Sequence, residues 1–143
     1  MRIFFMFPSV LLVFLFVVNT TALRDSNTKF KLCCSKHKNA DRICKQKFCD
    51  FSSLAADNVL FFLNSCTPKG NTVPDMWACA TSKADHTECC KKKGVLSQCL
   101  PYCNYKTTPN DYLKHIFCLQ NFNPIKDCFR SHLNDHPNIF GDE

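Results

Sequence analysis

The stretch ADHTECCKKKGVLSQCLPYC, residues 84–103, holds four of the chain's twelve cysteines and decides how the rest is read. Cys89 and Cys90 are adjacent, and Cys99 and Cys103 follow close together. Continued to Cys118 and Cys128, the spacing is CC-x8-C-x3-C-x14-C-x9-C. The preceding half, through Cys33, Cys34, Cys44, Cys49, Cys66 and Cys79, is CC-x9-C-x4-C-x16-C-x12-C. The order of long and short gaps is the same in both halves. An Asp-His pair follows each sixth cysteine, as Asp85-His86 and Asp135-His136. The chain therefore reads as two copies of one six-cysteine unit, over 33–79 and 89–128. Adjacent cysteines rarely bridge each other, because the short link strains the geometry. Spacing alone does not choose among the remaining pairings, within a unit or between units.

The segments between cysteines carry helical start and stop signals. Asp85 reads as an N-cap with Glu88 three residues on, an acidic relative of the capping box. Gly94 reads as the stop, and Lys91, Lys92 and Lys93 suit the negative end of the helix dipole. Ser52 or Ser53 is expected to cap a helix with Ala55, Val59, Phe62 and Cys66 on one face. Thr67-Pro68-Lys69-Gly70 should end it, and Thr72-Val73-Pro74-Asp75 should open another. Thr108-Pro109-Asn110-Asp111 places proline at a first helical position, with Leu113, Ile116, Phe117 and Leu119 following at helical spacing. Asn123-Pro124 opens a last helix through Cys128 to about Leu133, and Cys99–Cys103 reads as a short turn cut by Pro101. No alternating apolar run marks a strand. The expected fold is all-α: a small disulfide-rich helical domain over 32–133, flanked by an N-terminal segment 23–31 and a tail 134–143.

The chain opens MRIFFMFPSVLLVFLFVVNTTALRDS, with Arg2 ahead of an apolar run and small residues near Ala22. This is the pattern of a secretory signal peptide over 1–22, cleaved after Ala22. The run is interrupted by Pro8-Ser9 and falls short of the ~20 apolar residues of a spanning helix. Cysteine at this density behind a secretory leader predicts a disulfide framework rather than zinc, and a secreted, extracellular protein. Without Arg2, 17 basic residues face 12 acidic ones, a mild excess that favours solubility. No nucleic-acid-reading motif accompanies it, so no nucleic-acid partner is expected; an anionic membrane surface is a weaker alternative. Asn64-Ser65-Cys66 is only a rare sequon variant, so no N-glycan is expected.

Catalytic patterns fit poorly. Cys33-Cys34-Ser35-Lys36-His37 matches the start of the secreted phospholipase A2 helix, but Lys38 stands where that motif has Asp. The glycine-rich calcium loop is also missing, leaving no stabiliser for an oxyanion. His86 near Cys89 and Cys90, and His37 near Cys33 and Cys34, lack C-x-x-C ligand spacing. No Ser lies in a Gly-x-Ser-x-Gly context, and a bridged cysteine is no nucleophile. No catalytic residue, metal site or cofactor is expected.

Asp85, His86, Cys89, Cys90, a basic stretch, Gly94-Val95, then Cys99-Leu100-Pro101-x-Cys103 closely resembles the DB module, a twelve-cysteine family of nematode secreted and cell-surface proteins. The resemblance spans Leu32 to Leu133. Ala84 replaces the family's usual Arg, and Leu96 stands where Pro is common; neither touches the cysteine frame. The resemblance implies six bridges among all twelve cysteines and brings no enzyme activity with it. It implies a non-enzymatic module that binds an extracellular or cell-surface protein. The alternatives are a small secreted enzyme of lipid or glycan chemistry, or a cationic effector acting on membranes.

Overall fold

A computed structural model describes residues 23–143; the leader and its cleavage at Ala22 lie outside them. Six α-helices and two 3-10 helices follow one another, with no strand among the described residues. The first half holds α1 (Ser26–Lys36), α2 (Arg42–Phe48), α3 (Val59–Cys66) and α4 (Thr72–Thr81). The second holds α5 (Thr87–Lys92), η1 (Ser97–Cys103), η2 (Pro109–Asn121) and α6 (Phe122–Asp135). Each half thus has four helical elements. Its adjacent cysteines lie on the first, the third and fourth cysteines on or just after the second, the fifth on the third, and the sixth on the fourth.

The bridges pair identically in the two halves. Cys33–Cys79 and Cys89–Cys128 join first to sixth, Cys34–Cys49 and Cys90–Cys103 second to fourth, and Cys44–Cys66 and Cys99–Cys118 third to fifth. No bridge crosses between halves. Packing joins them: α6 lies against α1 and α4, and η2 against α3 and α4. Trp77 meets Phe129 edge-on at 5.3 Å between ring centres.

Local chemistry explains where helices begin and end, and corrects three expectations. At α5, Asp85 is not the N-cap. That position belongs to His86, while the Asp85 carboxylate accepts the Thr87 backbone N–H at 2.9 Å and the Thr87 hydroxyl. This is an Asx turn placed one residue ahead of the helix. The stop is as read: Gly94 has φ +76°, its N–H donates to the Lys91 carbonyl, and the Val95 N–H donates to the Cys90 carbonyl. Those two bonds form a Schellman motif.

Neither Ser52 nor Ser53 caps a helix. Residues 51–58 form turns held by Asn58, whose Oδ1 accepts the Ala55 N–H at 2.8 Å and whose Nδ2 donates to the Ser53 carbonyl at 3.0 Å. The helix then begins at Val59. The third correction is η2. Pro109 does occupy its first position, but the segment winds as a 3-10 helix kinked at Asp111 and His115.

The flanks are tied to the core. Asp25 caps α1, its carboxylate accepting the Thr28 N–H at 2.7 Å. Asn138 Nδ2 donates to the Lys29 carbonyl at 3.0 Å, and Lys36 pairs with Asp142 at 2.7 Å. No described helix is long and apolar enough to cross a membrane.

Candidate functional site

Several side chains of residues 84–103 are engaged within the fold. His86 is buried, its Nε2–H donating to the Thr81 carbonyl at 2.7 Å, with its ring 5.0 Å from those of Phe129 and His132. The Asp85 pKa is lowered because the Thr87 hydroxyl and backbone N–H donate to it. Lys91 pairs with Glu88 at 2.8 Å, and Lys92 and Lys93 face solvent. The second Asp-His pair meets the first through His132: His136 stacks on it at 4.0 Å. The two pairs are not equivalent in environment, since His136 is exposed.

All twelve cysteines are bridged, so none supplies a thiolate nucleophile or ligand. Cys33, His37 and Cys79 cluster closely enough to hold an ion, but the Cys33–Cys79 bridge occupies both sulfurs. His37 Nδ1 lies 3.5 Å from Asp75, and Phe140 covers the ring edge-on at 5.4 Å.

The two sides of η2 differ. A 3-10 helix has three residues per turn, so positions three apart share a side. Pro109, Tyr112, His115 and Cys118 are such a series, and all four line an apolar cavity between the halves. The opposite side carries Leu113, Ile116 and Phe117, exposed by 66%, 50% and 41%. These three are three and four apart, the spacing of one α-helical stripe, and here they face solvent.

Side-chain bonds pin η2 in place. The Tyr102 hydroxyl donates to Asp111 Oδ1 at 3.0 Å and accepts from His115 Nδ1 at 3.0 Å. Burial, then Asp111, push the Tyr102 phenol up to about 12, so it stays protonated and serves as a tether rather than a base. The Tyr112 hydroxyl donates to Asn64, and the Cys99–Cys118 bridge fastens the far end. Sequence reading missed Tyr102, Asp111 and His115 as a cluster. Local spacing gave no signal for it, since Tyr102 and Asp111 lie outside the series from Pro109 to Cys118.

The DB module family model matches residues 33–129. "Ig-like and fibronectin type-III domain-containing protein 2" of Caenorhabditis elegans is 26% identical over 127 residues, covering 87% of this chain. The chain spans only 8% of that protein's length. No solved structure matches. The family match covers both cysteine units and all six bridges, and on it the chain belongs to the DB module family.

Proposed function

We propose that the protein is a secreted, non-enzymatic binding module whose partner is another extracellular protein. The observation that carries this reading is the outer face of η2. It presents Leu113, Ile116 and Phe117 to solvent on a segment held by a disulfide and by tyrosine hydrogen bonds. Apolar and aromatic side chains on a pre-organised support form the usual centre of a protein interface, because little ordering entropy is lost on docking. Six bridges suit an oxidising compartment, which agrees with the leader read from the sequence. The relative's name records Ig-like and fibronectin type-III domains, companions suited to an interaction role.

The membrane reading needs an apolar face flanked by positive charge. η2 carries one Asp, Asp111, and one Lys, Lys114, whose charges cancel, so charge does not favour it. The test compares the wild-type chain with a Leu113→Glu/Ile116→Glu variant. The wild type should capture a discrete extracellular protein that the variant does not, with both equally stable. A Lys91/Lys92/Lys93→Ala variant should capture as the wild type does. Equal capture by the Glu variant removes the η2 face from the interaction, and saturable binding to anionic vesicles would replace this reading with the membrane one.

A further inference from the structure

The chain's positive charge is unevenly placed. In residues 23–50, eight lysines and arginines face three acidic residues, whereas in residues 51–143 nine face nine. The net charge of the described chain therefore sits on α1, α2 and the turns beside them. Charge of one sign gathered in one region sets up a local field, which evenly mixed charge does not.

The fold gives that charge a shape. Lys31, Cys34 and Ser35 stand at i, i+3 and i+4 on α1, and Arg42, Lys45 and Gln46 repeat the spacing on α2. Residues so spaced share one side of a helix. Both sides line one cleft of about 340 Å3. The Cys34–Cys49 bridge ties α1 to the end of α2, with Cys34 buried in the cleft wall. Lys31 pairs with Asp50 at 2.7 Å. Lys45 donates to the His37 carbonyl at 2.7 Å, a bond that leaves its charge uncancelled. Among the described residues no carboxylate pairs with Arg42 or Lys45, and no acidic side chain lines the cleft.

We infer that this cleft binds a sulfated polysaccharide, with Arg42 and Lys45 taking its sulfate groups. The planar guanidinium of Arg42 matches the spread oxygens of an oxyanion, and Lys45 and Lys31 add point charges beside it. A polyanion of the extracellular space also suits the oxidising compartment that six bridges imply. Attachment to a bilayer draws on apolar side chains inserted beside positive charge, and no exposed apolar side chain lines the cleft. The cleft shares no residue with the outer face of η2, so it is tested apart from protein docking.

The intact disulfide-bonded chain is titrated with a heparin oligosaccharide, with the same oligosaccharide after desulfation, and with phosphatidylserine vesicles. Heparin should bind saturably at about 0.1 M salt and be released at about 1 M, as the screening length shrinks from ~10 Å to ~3 Å. Arg42→Gln/Lys45→Gln should weaken binding about tenfold or more, the value of one or two charge-assisted hydrogen bonds at an exposed site. The desulfated chain should bind the wild type no better than heparin binds that variant. Lys91→Ala/Lys92→Ala/Lys93→Ala removes more charge, but from the other half, and should shift affinity by no more than about twofold. Circular dichroism checks the fold of each variant. If the double variant does not fold, Arg42→Gln alone decides; it alters one exposed side chain and should weaken binding about threefold or more. Absence of saturable heparin binding overturns the inference, as does equal affinity for the desulfated chain. A loss in the triple-lysine variant as large as in the double variant overturns it too, since net charge alone would then account for binding. Tighter binding to the vesicles that depends on Arg42 and Lys45 would overturn it in favour of an anionic lipid surface.

Discussion

Lys29 is 1% exposed, an unusual place for a lysine. Its ammonium donates to the carbonyls of Asn134 at 3.3 Å and His136 at 2.9 Å. Asn134 is in the last turn of α6, where carbonyls lack helical partners and the dipole is negative, so a cation satisfies both needs. Lys29→Met keeps the volume and strands those carbonyls. It should destabilise the protein by about 1–3 kcal/mol in denaturant titration; a loss within the error of the titration would show that water serves equally well. His132 carries a pH dependence. Burial, then His136 and His86, lower its pKa, while Asp135 opposes them. A base whose folded pKa is depressed binds more protons when unfolded, so stability falls as pH drops through the usual histidine range. Melting temperature should decline from pH 7.5 towards 5.5, and His132→Gln should flatten that decline. An unchanged slope would assign the effect to another group. The lowered pKa values of Asp25, Asp41, Asp50, Asp85 and Asp142 act in a separate, more acidic window.

Among the elements, α5 and η2 show what was legible and why the rest was not. Gly94 was readable as a stop because only glycine takes φ +76° without cost. A Cβ there meets nothing within 4 Å, so Gly94→Ala should cost about 1 kcal/mol through backbone conformation alone. Gly94→Asn should cost less; the reverse order in thermal unfolding would point to a steric contact instead. The cap at Asp85 was misplaced by one residue because aspartate serves N-caps and Asx turns alike, and the Asp85–Asn104 bridge favours the turn. The helix expected from Ser52 starts late because Asn58 satisfies the backbone of the preceding turns locally. In η2, apolar residues at 113, 116 and 117 fit either winding. The choice is made by tertiary ties, Tyr102 to Asp111 and His115, and Cys118 to Cys99, which are invisible in local sequence. The winding has a direct consequence: Leu113→Ser and Ile116→Ser should leave stability nearly unchanged, whereas Tyr112→Ala and Leu119→Ala should lower it by about 1–3 kcal/mol. Large losses from Leu113→Ser would mean that this side faces the core.

For the whole molecule, the twelve cysteines made the framework and the two-unit division readable, but not the pairing, which depends on how helices cross in space. The cavity was hidden for the same reason: its walls come from α1 to α4, η1, η2, α6 and the turn at 50–54, and no stretch of sequence contains it. Identical pairing in each half, with nothing crossing, makes the molecule two closed covalent units joined by one backbone link between Cys79 and Cys89. Lys83 lies in that link, exposed and with φ +51°, next to Ser82 at φ +54°. Limited trypsin digestion should cut there early. In native buffer the pieces should stay together through Trp77, Phe129 and the packing of α1 on α6. In denaturant without reductant they should separate into two masses divided at Lys83, each holding six cysteines and three intact bridges. Further cuts at lysines inside a bridged loop should leave fragments of the same unit linked. Bridges running between units would instead keep everything joined until a thiol is added. That outcome would overturn the matched pairing, and with it the explanation of why the two sets of cysteine gaps follow the same order.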